Sequence, residues 1–254
     1  MFNDLIYTIH KEEHSEEVLK KLLTSHPEIK FVSVVGIDLS GNDTDAKIPM
    51  RIFLEDINGF LKGAIQTDGS SVAFPGIATL NNAKVDMIPD TEVDWFVDYN
   101  FENFDKELGK PIGTLRIPCF LMHEGKAIDS RHILKSSITN MKQNLMNFFK
   151  NCPELLDVYG IAIDDIQDIV ATAATELEFW VKTPQEKAHV EELSISQVLK
   201  EQYWTRTRGV VRTALEETLI LMDKYGLNAE MGHKEVGGVK ATLGEGGNLT
   251  HIME

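Results

Sequence analysis

The chain has 254 residues, 43% of them hydrophobic, enough for one large domain or for a small domain beside a larger one, each with its own core. Asp and Glu outnumber Lys and Arg by 40 to 25, and the net charge of -15 argues against nucleic acid or an anionic membrane as a partner. The first residues, Met1-Phe2-Asn3-Asp4, form no basic region ahead of an apolar core, no run reaches membrane-spanning length, and Cys119 and Cys152 lack ligand spacing. A soluble, cytoplasmic protein with free thiols and an affinity for cations is therefore expected.

In chain order, residues 11–26 carry Val18, Leu19, Leu22 and Leu23 at helical spacing behind an acidic first turn, and Pro27 stops the helix. Residues 31–39 read as a strand. The turn Ser40-Gly41-Asn42-Asp43 leads into a short return strand near residues 46–49. A short helix over 51–60 places Ile52, Phe53, Ile57 and Phe60 on one face, so the opening segment predicts a small mixed sheet grasping a helix. Asp68-Gly69-Ser70-Ser71 is a loop by composition, because Gly allows positive φ and short polar side chains bond the backbone. Strands over 91–100 and 113–122 flank a polar loop at 103–110.

Asp129 and Ser130 can cap a helix running to Lys150, with Ile133, Leu134, Ile138, Met141, Leu145 and Phe149 as its expected buried stripe. The longest helical pattern follows at 194–225 and closes at Tyr225-Gly226. Arg206, Arg208 and Arg212 beside it are expected to form helix-face salt bridges or interface contacts rather than a phosphate site. Between these helices lies Thr175-Glu176-Leu177-Glu178-Phe179-Trp180-Val181, whose β-branched and aromatic residues predict a strand. Alternation would then put Glu176 and Glu178 on one face and Leu177 and Phe179 on the opposite, apolar one. Such a pair is common on a half-exposed strand face, yet two close carboxylates also suit a hard divalent cation. Residues 227–236 read as a second strand, in which a bulge at Gly232 would decide whether Glu230 and Glu235 share a face. His233 reads most simply as a hydrogen-bonded strand residue.

Taken together, three ordered stretches resemble glutamine synthetase: Asp68 to Ser71 continuing to Asp86-Met87-Ile88-Pro89-Asp90, then Glu176 to Phe179, then Glu230 to Val236. The resemblance implies an α+β fold, with a β-grasp amino-terminal domain over residues 1–112 and the start of a catalytic domain, a curved antiparallel sheet with helices, over 113–254. It implies ATP-dependent ligation of ammonia to glutamate through a γ-glutamyl phosphate, in ring-shaped homo-oligomers whose sites lie between subunits. Glutamate, ammonium and ATP would be the small-molecule partners, with no role for nucleic acid or membrane. By resemblance Glu176, Glu178 and Glu235 would hold Mg²⁺ or Mn²⁺, Glu230 would lie near the nucleotide, and Asp68 with Ser71 beside it would hold ammonium, Asp68 also taking its proton.

The chain departs from the family pattern at Ala174, where Gly is usual, and at His233-Lys234-Glu235, where His-His-Glu is usual, which marks a divergent branch. The family's later metal-ligand His, its Asn-Gly-Ser-Gly loop and its phosphate-binding and glutamate-binding arginines have no counterpart among these residues. The ending His251-Ile252-Met253-Glu254, directly after a glycine-rich stretch, reads as an interruption of a longer protein, so the chain is expected to be inactive alone. A non-catalytic family module that regulates or joins a complete enzyme, and a ligase for another amine, are the competing readings.

Overall fold

The computed structural model describes residues 4–69, 83–183, 206–207, 209–234 and 249–253, which fall in two compact units, 1–172 and 173–254. The chain is a mixed α+β protein whose first unit is built around one long strand, β7 (Pro111–His123). Along it Leu115, Ile117, Cys119 and Leu121 are buried at period two, as a strand with one face on a core requires. β7 pairs antiparallel with β6 (Trp95–Phe104), whose own outer neighbour is β1 (Thr8–Ile9). It also pairs parallel with β2 (Ile29–Val35), which continues antiparallel into β3 (Lys47–Pro49). Its second half, Cys119 to Met122, pairs with β5 (Lys84–Pro89), and β5 pairs with β4 (Ile65–Asp68). The short β8 (Lys126–Ala127) turns back on the end of β7. Residues 112 and 113, the expected domain division, lie within β7.

Helices cover the sheet where their apolar residues recur at helical spacing. α1 (Glu16–Ser25) buries Leu19 and Leu23 behind Glu16 and Glu17, which favour the positive end of the helix. The expected single helix over 51–60 is two, α2 (Met50–Glu55) and α3 (Ile57–Leu61). Asp56 separates them because its carboxylate accepts the Gly59 N–H at 2.9 Å, capping a new helix rather than continuing the old one. The β2–β3 connection turns through Gly41 at φ +83° and is held by Asp38, whose carboxylate accepts the Ser40 and Asn42 N–H groups at 2.8 and 2.9 Å.

The start of α1 also differs from expectation. A 3-10 turn at Lys11–Glu13 precedes it, because His14 turns inward and stacks on Trp95 with ring centroids 3.6 Å apart. Burial pushes the His14 imidazole below its ordinary pKa, the backbone of Ile9 and then the carbonyl of Thr91, 3.3 Å from Nδ1, offsetting this only in part. The unfolded chain protonates this histidine near pH 6.5, the folded chain only at lower pH. Stability from this group is therefore complete above the unfolded value and falls as the pH drops toward the folded one. His10, raised by exposed Asp94, works in the opposite direction, so the difference between two proteins is the informative quantity. Urea midpoints of wild type and His14→Phe at neutral and mildly acidic pH should show a shallower acid loss in the variant. Parallel losses would mean that His14 is protonated in the folded state.

α4 (Ser130–Asn151) begins at the expected cap. Asp129 is fully buried and its carboxylate accepts both the His132 N–H and the Leu121 N–H at 2.8 Å, joining the helix to β7. The expected buried stripe is corrected, for no residue of α4 is buried and Leu134 is 62% exposed. α5 (Glu154–Asp157) follows. No described helix is long and apolar enough to cross a membrane. Both cysteines are free, and burial with the nearby Asp129 pushes the Cys119 thiol up to about 12.

In the second unit β9 (Phe179–Thr183) pairs antiparallel with β10 (Leu249–Met253). α6 (Gly209–Lys224) ends as expected at Tyr225-Gly226. Gly226 has φ +66°, its N–H bonds the Asp223 carbonyl, and the Leu227 N–H reaches back to Met222, so the last carbonyls are satisfied. Arg212 pairs with Glu216 one turn along at 2.6 Å, the helix-face salt bridge expected, while Arg208 lies outside the described residues.

Candidate functional site

Asp68 is the last residue of β4, exposed, and the ladder register sets Lys84 opposite it. Opposite charges at paired positions stabilise a ladder, so this carboxylate has a structural role beside any chemical one. Immediately after it the Gly69 N–H bonds the Ala83 carbonyl at 2.7 Å, holding together the two ends of the stretch that contains Ser71. Ser71 itself lies outside the described residues.

The paired carboxylates are placed differently from expectation. β9 begins at Phe179, so Glu176 and Glu178 precede the strand, both exposed and outside regular structure, and strand alternation does not set their faces. Leu177 is 59% exposed where the strand reading had it filling an apolar side. Met253 opposes Phe179 as the last described ladder pair.

Glu230 is exposed in a stretch, 227–233, that has no regular structure, where a strand was expected. This stretch lies on α6 at Gly232, whose missing side chain matters: a Cβ there would stand 2.9 Å from Leu215 Cδ1 and 3.2 Å from Leu219 Cδ2. Gly232 therefore serves close approach to a helix, not a bulge. His233 Nδ1 lies 3.4 Å from the neighbouring Lys234 carbonyl, in keeping with a hydrogen-bonded residue, and Lys234 is buried in an isolated β-bridge. Glu235 lies outside the described residues.

Carboxylates are the right donors for Mg²⁺ or Mn²⁺. Among the described residues, however, no three potential ligands gather, and the described carboxylates Glu176 and Glu178 do not by themselves make a site. Asp68 and the glutamates also fall in different compact units.

What the first unit does assemble is a charged group around Phe120. Arg131 donates to the Asp90 carboxylate at 2.6 Å and lies 5.0 Å from the Phe120 ring centroid, and Lys135, one turn along α4, lies 5.7 Å from the same ring. Asp90 also accepts the Glu92 N–H, and its carbonyl accepts the Trp95 indole N–H at 2.9 Å. The group thus ties the end of β5, the start of β6 and the first turn of α4 together. The four-residue spacing of Arg131 and Lys135 was visible in the sequence, but their convergence on Phe120 required the strand pairing.

No protein-family model and no curated protein sequence matches the chain. Among solved structures, GmaS in its complex with ADP, conformation 1, aligns with 93% of this chain at 15% identity and a TM-score of 0.39. The chain spans 44% of the length of that GmaS chain.

Proposed function

We propose that this chain belongs to a glutamine synthetase-type ligase, which joins ammonia to glutamate at the expense of ATP through a γ-glutamyl phosphate. The order of three motifs supports this reading: Asp68 to Ser71 with its continuation to Asp90, then Glu176 to Phe179, then Glu230 to Val236. In it the sheet of the first unit corresponds to the family's β-grasp domain, and the active protein is a ring of like subunits. Asp68, with Ser71 beside it, attracts ammonium and takes its proton. The freed nitrogen lone pair then forms the C–N bond as the C–O bond to phosphate breaks, phosphate leaving with the bonding electrons and taking the second proton that the nitrogen sheds to become the neutral amide. Exposure of Asp68 at the end of a paired strand gives a cation access to its carboxylate. Glu176, Glu178 and Glu235 are the proposed metal carboxylates, and Glu230 lies near the nucleotide.

Titration of Mn²⁺ into the purified chain, followed by the loss of the free-ion electron paramagnetic resonance signal, tests this assignment. Wild type should bind the ion, and Glu178→Ala should bind it more weakly by a factor of about 10 or more, since removing even a supporting group of a metal site commonly weakens it by roughly 10–100-fold. Equal affinities would return Glu176 and Glu178 to the role of solvated surface charges.

A further inference from the structure

α4 is a basic helix on an acidic protein. Its 22 residues include Arg131, Lys135, Lys142 and Lys150 and no Asp or Glu, against a net charge of -15 for the chain. Of its apolar residues, Leu134, Ile138, Met141, Leu145 and Phe148 are spaced four, three, four and three apart, the alternation of a two-helix seam, while Ile133, Met146 and Phe149 lie beside it. At one alternate set of seam positions Leu134, Met141 and Phe148 are 62%, 39% and 48% exposed, while Ile138 and Leu145 are half-buried. Lys135 and Lys142 each follow a seam residue and line one edge, whereas Ser137 and Asn144 line the other. Among the described residues Lys142 pairs with an exposed carboxylate, Asp168, at 3.0 Å, and Lys135 lies 5.7 Å from the Phe120 ring centroid.

We propose that α4 is a docking surface for an amphipathic partner helix that carries the same four-three apolar spacing and acidic residues along the edge facing Lys135 and Lys142. Charge selects this occupant over others. A second α4 packed antiparallel would set lysine edge against lysine edge, and packed parallel would set lysines against Ser137 and Asn144, gaining no ion pairs in either case. An anionic lipid surface would be repelled by the acidic body. An acidic partner instead turns an excess of like charge along α4 into complementary pairs across the seam, which favours both encounter and register.

The probe is a synthetic helical peptide of about three heptads with Leu and Ile at its seam positions and Glu along both edges, compared with a twin carrying Lys for Glu. Fluorescence anisotropy with the purified chain should show the Glu peptide binding about tenfold or more tightly than its twin, with the preference shrinking as salt is raised. Leu134→Ser with Met141→Ser should abolish binding while far-ultraviolet circular dichroism stays unchanged, because both side chains are exposed. Lys135→Glu should narrow or reverse the preference between peptides. Equal binding of the two peptides, or none of either, would overturn the proposal. So would a dimer in sedimentation, or binding to phosphatidylserine vesicles, that the Leu134 and Met141 substitutions remove, since each would identify a different occupant of the seam.

Discussion

Replacing Trp95 by Ala is expected to cost the first unit about 3–5 kcal/mol, the range for deleting a large buried aromatic. The side chain is fully buried in β6, one face stacks on His14, and its N–H satisfies the Asp90 carbonyl. Truncation therefore opens a cavity, removes the support of the buried imidazole and orphans a carbonyl at the same time. For a domain whose whole stability is commonly about 5–15 kcal/mol, that loss approaches the margin. Trp95→Phe retains a ring for His14 but not the N–H, and should cost less. Urea unfolding followed by circular dichroism checks both, and a loss under about 1 kcal/mol for the Ala variant would show that the site collapses around the gap.

Asp129→Ala is expected to cost about 2–4 kcal/mol, from loss of a helix cap together with an unsatisfied buried N–H. One carboxylate oxygen serves the first turn of α4 and the other serves Leu121 in β7, so the substitution should loosen two elements together. Asp129→Asn keeps one acceptor and turns a donor toward the other N–H, so it should recover only part of the loss. Hydrogen exchange offers the sharper reading: the amides of Leu121 and His132 should both lose protection. Faster exchange at His132 alone would reduce Asp129 to an ordinary cap.

The parts of this fold legible in the sequence are those that short-range chemistry decides. Asp129 announced α4, Gly226 ended α6, and the Gly41 turn joined β2 to β3, because each depends on a cap or a positive φ within a few residues. The parallel pairing of β2 with β7 was not legible, since residues 29–35 carry no local sign of a partner near 113–118. Nor was the exact start of β9. The alternation through Glu176 and Glu178 is a property of side chains, whereas a strand also needs a neighbouring backbone, and the described ladder with β10 reaches Phe179. Asp68 was read as the first residue of a loop, and the strand that it ends was missed because β4 is only four residues long and owes its existence to β5. Among the candidate site residues, then, the sequence indicates donor chemistry and order along the chain, while their gathering depends on long-range pairing.

That parallel pairing also sets the order in which the protein can be made. β2 leaves the ribosome long before β7, and closing the chain between residues 29 and 113 costs entropy before any of its ladder bonds repay it. Until then only the short β3 covers part of β2, and a nascent chain ending before Pro111 holds an apolar strand, Ile29 to Val35, without its long neighbour. Such an edge is a template for pairing with other chains. Slow translation through residues 36–110 should therefore raise the aggregated fraction of this protein, and synthesis past His123 should be the point at which nascent chains become resistant to protease.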